Sequence, residues 1–396
     1  MIGPASTVRS KETVVVSPRG PGDVQVSTPG DGPQRFHATM PGYRPTPLRP
    51  ATRTAERLGV REVLVKDESS RLGLPSFKIL GASWAVHHAL LEGSGLSREE
   101  VPTFDALRAH VRSIRPPPAL SAATDGNHGR AVARMAALLG LDARIYVPAG
   151  TVRARIEAIA GEGASVEVVD GGYDDAVRRS ARDAGERCLV ISDTSWPGYE
   201  SVPRWVIEGY ATIFAEVDDQ LAERGMESVD LVAVPMGVGA LAAATVSHFW
   251  TGGRRRPVLV GVEPTSAACV LESVRRGAIA TLEHPQDSIM AGLNCATPSL
   301  VAWPIVSRGL DVYVAVADER VPTAMRLLAE DGVVAGETGA AGLAGMLRLA
   351  EAAKDGHLPP ELELGPDKRV LLLCTEGATD PVAYRRLTAQ APEPTP

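Results

Sequence analysis

The sequence predicts an α/β protein of two domains, each with a doubly wound, mostly parallel sheet. Three observations carry that prediction. From Thr124 onward short β-branched runs alternate with helix-length amphipathic stretches, the order that parallel strands and their crossover helices require. Leu231-Val232-Ala233-Val234-Pro235 is apolar throughout, as a strand covered by helices on both faces must be. A chain of 396 residues is also longer than one hydrophobic core usually organises.

Residues 1–35 hold Pro4, Pro18, Pro21, Pro29 and Pro33 among Gly, Ser and Thr, with one apolar run, Val14-Val15-Val16. So little apolar surface does not offset the entropy of ordering, and a tail that is loose or draped on the body is expected. The larger domain is expected over 36–91 and 199–388, with the smaller one inserted over 92–198 and a disordered tail over 389–396. In the larger domain Tyr43 to Leu48 reads as a proline-stiffened turn, Ala51 to Leu58 as a short helix closed by Gly59, and Val63-Leu64-Val65 as a strand. Apolar residues at spacings of three and four then predict a helix over Phe77 to Leu91. In the smaller domain the pattern gives helix Arg130 to Leu139, strand Ala143 to Val147, helix Arg153 to Ala160, strand Val166 to Val169, helix Asp174 to Ala184 and strand Leu189 to Ile191. One long helix is expected over Tyr199 to Gln220, and a helix over Leu241 to His248 behind Gly237-Val238-Gly239. Strands Val258 to Val262, Val312 to Val316 and Val370 to Cys374 complete the larger sheet, with an apolar helix over Ala340 to Ala352.

The balance of 41 basic against 48 acidic residues, a net charge of −7, counts against a nucleic-acid or anionic-membrane surface and favours a small-molecule partner. No apolar run approaches the ~18 residues of a spanning helix and the N-terminus lacks a signal-peptide core, so a cytoplasmic protein is expected. Four cysteines without a Cys-x-x-Cys pair, and no His or Cys at ligand spacing, indicate no metal site. Cys269 and Cys295 both fall near the expected rim of the larger sheet, so a bond between them is one reading; free thiols in a reducing compartment are the other.

Two polar loops, each feeding a helix, hold the candidate chemistry. Lys78, in Ser76-Phe77-Lys78, is either a surface helix residue or an amine in a closed site where burial lowers its pKa and makes it a nucleophile. The second loop, Ser121-Ala122-Ala123-Thr124-Asp125-Gly126-Asn127-His128-Gly129, tips the balance towards the closed site.

Together these loops resemble those of the fold-type II pyridoxal phosphate enzymes, whose dehydratases carry a Ser-Phe-Lys turn and a Ser-x-Gly-Asn-His loop. Within that class the chain is most similar to the diaminopropionate ammonia-lyases. That similarity rests on Tyr43-Arg44-Pro45-Thr46-Pro47-Leu48, Lys66-Asp67-Glu68-Ser69, Thr124 to Gly129, Asp193-Thr194-Ser195-Trp196-Pro197-Gly198-Tyr199, Met290-Ala291-Gly292-Leu293 and Thr375-Glu376-Gly377, spread from about Phe36 to Leu387.

The resemblance implies a tryptophan synthase β-like fold, pyridoxal 5'-phosphate as cofactor, a small amino-acid substrate and a homodimer. It implies Lys78 as the cofactor's lysine, Asn127 at its ring hydroxyl, and Thr375 rather than Cys374 at its ring nitrogen. It places Gly237, Val238 and Gly239 at the phosphate, although the family often carries a fuller run of glycines there. Asp125 departs from the commoner dehydratases, which have a small residue before the glycine; in the ammonia-lyases the matching Asp is the base for one substrate enantiomer and the lysine for the other. Asp193 matches a second carboxylate of that pocket. Each has a plainer reading: Asn127, Asp125 and Asp193 as caps or turn residues, and the glycine loop as a tight turn. Glu337, before an apolar helix, reads equally as its cap or as a residue near the ring, and His128 as a packed, hydrogen-bonded helix residue. The implied activity is elimination of ammonia from 2,3-diaminopropionate. A serine or threonine dehydratase, or an amino-acid-binding protein without turnover, stands as the alternative.

Overall fold

The computed structural model describes residues 12–17, 24, 26, 28–92, 94–185, 187–251, 255–356 and 358–389. The chain enters its larger sheet with β1 (Thr13–Val16), β2 (Leu48–Pro50) and β3 (Glu62–Asp67). It builds a smaller sheet from β4 (Ala119–Ala123), β5 (Ala143–Pro148), β6 (Ser165–Val169) and β7 (Cys188–Val190), then returns with β8 (Leu231–Pro235), β9 (Val258–Pro264), β10 (Val312–Val316) and β11 (Arg369–Cys374). The larger sheet runs β1-β10-β9-β8-β11-β3-β2, parallel except for its two edge strands, and the smaller runs β6-β5-β4-β7, parallel throughout. The continuous apolar runs mark central strands: β8 and β10 are buried at every residue. Among the described residues no helix is long and apolar enough to cross a membrane.

Two expectations are corrected, and one open reading is decided. The Val14–Val16 run, expected in a loose or draped tail, is a strand: β1 pairs antiparallel with β10, from Thr13 opposite Ala315 to Val16 opposite Val312. Its ladder covers backbone groups that β10 would otherwise present as an open edge, and Glu12 adds a bond from Ala317 N at 3.0 Å. Most of the rest of that tail, and the C-terminal tail from 390, lie outside the described residues.

The single helix expected over Tyr199 to Gln220 is two, Ser201–Gly209 and Ala211–Glu223. At the junction the ladder tightens to three-residue bonds, Tyr210 N to Ile207 O and Ile213 N to Tyr210 O. Gly209 lies there so close to helix Lys78–Leu91 that a Cβ would stand 2.5 Å from the Leu80 carbonyl oxygen. Of the two readings of Cys269 and Cys295, the structure has the free thiols: all four cysteines are free and buried. The Cys269 thiol points at the Gly237 carbonyl, 3.7 Å away.

Candidate active site

Neighbouring parallel strands β8, β11 and β3 end on one side of the larger sheet, and each delivers a residue to a single cleft. β8 leads to Gly237, β11 to Thr375, and β3, through the turn 68–77, to Lys78 at the first position of helix Lys78–Leu91. Facing them, β4 and β7 of the smaller sheet lead to Asp125, Asn127 and Asp193. Ligands of open α/β sheets bind at such carboxyl ends. The candidates Lys78, Asp125, Asn127, Asp193, Gly237, Val238, Gly239 and Thr375 all line this cleft.

Lys78 Nζ donates to Asp193 Oδ2 at 2.6 Å, and the Tyr173 hydroxyl donates to Asp193 Oδ1 at 3.0 Å. The expectation that burial lowers the lysine's pKa is overturned. Burial does press it down, but Asp193 outweighs burial and holds the ammonium well above its usual value. In the same way burial raises Asp193, yet the Lys78 charge and the bonds from Lys78 and Tyr173 hold it well below the carboxylate range. Asp125 behaves differently. It is enclosed by protein but open to the cleft, and burial raises its pKa, with Arg155 and Lys78 opposing and Asp193 and Glu376 adding to the rise.

Asn127 is neither a cap nor a turn residue. It opens helix Asn127–Leu139, whose cap position is Gly126 at φ 153°, and its Nδ2 donates to Glu376 Oε2. The other Glu376 oxygen accepts from Thr338 N at 3.3 Å, which fixes the carboxylate and with it the amide's orientation. Thr375 Oγ1 is buried without any hydrogen-bond partner, whereas the Cys374 thiol donates to the Glu376 carbonyl. Of the two, Thr375 therefore holds the side-chain group still open to a new partner, and it alone of the pair lines the cleft.

The loop Gly237–Gly239 opens helix Ala240–Thr251. Its carbonyls are engaged on the protein side, by the Cys269 thiol, Ser299 N and Ala243 N. An anion in the cleft therefore meets the amide side of the loop and the positive end of the helix. Gly239 has φ +96°, and a Cβ on Gly237 would lie 3.1 Å from Cys295 Sγ and 3.2 Å from the Gly292 carbonyl oxygen.

Glu337 does not line the cleft, while Thr338 beside it does. The helix that follows, Ala341–Lys354, has no side-chain cap at its Ala340 cap position. His128 is the packed residue expected, its Nε2 2.7 Å from the Ile191 carbonyl. Sequence reasoning passed over Tyr173 and the Glu376 side chain, both of which line the cleft. Only Glu376 left a signal, through its place in Thr375-Glu376-Gly377.

The model of the family described as "Pyridoxal-phosphate dependent enzyme" matches residues 39–376. The diaminopropionate ammonia-lyase of Escherichia coli K12 is 34% identical over 363 residues, covering 89% of each chain. That of Salmonella typhimurium LT2 is 34% identical over 360 residues, covering 88% of this chain and 89% of the other. The crystal structure of the E. coli enzyme in complex with D-serine matches with a TM-score of 0.86 at 32% identity, over 96% of this chain and 97% of that one. With the lysine, the glycine loop and the orphaned hydroxyl brought to one cleft, this chain belongs to the pyridoxal-phosphate dependent enzymes of fold type II, alongside the diaminopropionate ammonia-lyases.

Proposed function

We propose that this enzyme eliminates ammonia from 2,3-diaminopropionate, giving pyruvate and two molecules of ammonia. The observation that carries the reading is the presence of two carboxylates, Asp125 and Asp193, in one cleft with Lys78.

The residues present fit pyridoxal 5'-phosphate. Lys78 would bond it, the amide side of Gly237-Val238-Gly239 would take its phosphate, Asn127 would meet its ring hydroxyl, and the unpartnered Thr375 Oγ1 its ring nitrogen. When bound, the cofactor supplies the electron sink that lets a Cα proton and a β-substituent leave. Thr375 would offer the ring nitrogen a neutral hydroxyl rather than a charged partner, which suits elimination.

Asp125 and Lys78 serve as bases for opposite substrate enantiomers. Asp125 is suited to the task because its raised pKa brings it nearer the working pH. Asp193 selects the substrate by charge. Once Lys78 is committed to the cofactor, Asp193 has lost its cation, and the second ammonium of a diamino acid replaces it. At about 4 Å and an effective dielectric of about 20, that attraction is roughly 4 kcal/mol before desolvation. A serine hydroxyl brings no charge and must be protonated to leave, whereas an ammonium leaves as ammonia.

The test is product release from a substrate panel: pyruvate from L- and D-diaminopropionate and from serine, 2-oxobutyrate from threonine. Faster turnover of serine or threonine would make the chain a dehydratase, and cofactor binding without product would make it a binding protein. The same reading gives a larger cofactor-bearing unit over 36–91 and 199–388, a smaller one inserted over 92–198, and a homodimer in the cytoplasm; light scattering tests the dimer.

A further inference from the structure

Among the described residues no donor is bonded to the Asp125 carboxylate. It lines the cleft opposite Gly292, with Oδ2 3.4 Å from where a Cβ on that glycine would lie. With no bond to settle its charge, burial and the charges around it do so. Burial raises its pKa; of the charges, Arg155 acts most strongly and against the rise, followed by Lys78, while Asp193 and Glu376 add to it. The Tyr173 hydroxyl and the Cys295 thiol also face Asp125, and burial keeps both uncharged. Arg155 is the third residue of helix Arg153–Ala160, which follows β5. Its stem lies along the turn that carries Asp125: a Cβ on Gly126 would stand 3.0 Å from Arg155 Cδ and 3.5 Å from Cγ, at a φ of +153° that glycine takes readily. The guanidinium reaches across to the chain leaving β11, where Nη2 donates to Thr379 Oγ1 at 3.5 Å. Of the acids on that side, Glu337 feels its charge and Asp380 caps the helix Pro381–Thr388.

We infer that Arg155 is a positioning residue for Asp125, a permanent counter-charge that keeps this carboxylate available as a base while the site works. Two cations face Asp125, and only one of them lasts. Lys78 gives up its ammonium when it bonds the cofactor or takes its own turn as base, whereas a guanidinium stays charged at any working pH. Without Arg155, burial, Asp193 and Glu376 all push the same way, towards a protonated and idle carboxyl. The arrangement also leaves the oxygens free. Arg155 is bonded to Thr379 and not to Asp125, so no donor has to be broken away before a proton is accepted. This deepens the reading of Asp125 as the base for one diaminopropionate enantiomer, and rests on it.

The test titrates Asp125 directly in the apoprotein, by carbon NMR of protein labelled at the aspartate carboxyl carbon, with the resonance assigned by its absence from Asp125→Asn. In Arg155→Met, which keeps the stem and removes the charge, that titration moves to higher pH; in Arg155→Lys it returns towards the wild type. An unmoved titration in Arg155→Met overturns the inference. So does a shift that lysine fails to reverse, since the effect is then one of packing and not of charge. Turnover of the loaded enzyme gives the second readout. For the enantiomer whose elimination Asp125→Asn cuts, the acid limb of kcat moves up in Arg155→Met: the rate below the limb falls about tenfold, the plateau holds, and the limb for the other enantiomer stays where it was. If the carboxyl titration shifts while neither limb does, the counter-charge stands and it is the assignment of Asp125 as a base that fails.

Discussion

The turn leaving β3 connects two buried lysines, and they live in opposite environments. Lys66 is closed off. Its side chain is 0% exposed and its ammonium donates to Glu216 Oε2 at 2.7 Å, the Thr46 carbonyl at 2.7 Å and Gln220 Oε1 at 3.0 Å. Arg71 completes that cluster, bonded to both oxygens of Glu68 and both of Glu216, while Tyr43 and Thr46 add hydroxyls to the same carboxylates. Two cations meet two anions. Lys78 is 18% exposed, has Asp193 as its one ion-pair partner among the described residues, and shares its cleft with a second aspartate and the unpartnered hydroxyl of Thr375. Burying a charge therefore does not mark a site by itself. A network with every donor and acceptor matched holds the chain together, and one left in deficit is kept for something that arrives.

The largest effect that would break this contrast is loss of activity without loss of fold. Lys78→Ala is expected to lower pyruvate release by at least about a thousandfold and to abolish borohydride-stable cofactor attachment, with Tm nearly unchanged because water in the cleft rehydrates Asp193. Activity retained by this variant would remove Lys78 from the chemistry.

Glu216→Ala should do the reverse. It strands the Lys66 and Arg71 charges in the interior, which costs about 3–5 kcal/mol, while the folded fraction keeps its KM. The carboxyl of Glu216 is pushed up by burial but drawn down to about 2 by Arg71 and Lys66. A carboxylate with a depressed native pKa stabilises the fold above its unfolded value of 4.5, and that stability is lost as pH falls towards 2. Wild-type Tm measured by calorimetry should hold between pH 7 and about 5 and drop below about 4, and in Glu216→Gln that acid limb should flatten. An unaltered limb would mean the closed cluster is not what acid disrupts.

Within the open site, Asp125→Asn keeps the size and the turn but removes the charge and the base. Elimination from one diaminopropionate enantiomer should fall about a hundredfold and from the other much less, as Lys78 still serves the opposite face. Equal loss for both would make Asp125 a general electrostatic group.

The same contrast explains what sequence alone could carry. The strands were legible because burial on both faces leaves an unbroken apolar run, as in Leu231–Pro235, and the glycine loop could be placed at a helix start because it directly follows that run. Asp125, Asn127, Asp193 and Thr375 could be placed at one cleft because each follows a strand end closely, and Lys78 because it opens the helix beyond the turn 68–77 that leaves β3. Tyr173 and Glu376 reach the cleft's residues through distant partners, Tyr173 through Asp193 and Glu376 through Asn127, and Tyr210 packs on Phe77, well over a hundred residues earlier. No local period encodes such pairings. The missed β1 follows the same logic, since four residues become a strand only when the edge of β10 is there to receive them. The lysine's pKa was misjudged because burial was foreseen and the contact with Asp193 was not.

The smallest effect is also the sharpest test, because one substitution should change sign between the two clusters. Thr46 Oγ1 sits in the closed network, donating to Glu68 Oε1 at 2.6 Å and accepting from Arg71 Nη2 at 2.9 Å. Thr46→Val leaves a buried carboxylate and a guanidinium each short of a partner and should cost about 1–3 kcal/mol. Thr375→Val makes the same change of shape where the hydroxyl has no partner in the protein. The apoprotein loses nothing and sheds the desolvation of an unsatisfied group, so its Tm should rise slightly. The loaded protein loses the contact to the ring nitrogen, about 1 kcal/mol, so the Tm increase produced by saturating cofactor should shrink. Scanning both variants with and without pyridoxal phosphate gives four numbers from one experiment. If Thr375→Val lowers the apoprotein Tm as Thr46→Val does, its hydroxyl is structural and the distinction between closed and open clusters fails at that residue. If apo Tm rises while the cofactor's increment falls, the deficit at Thr375 is one that the cofactor fills.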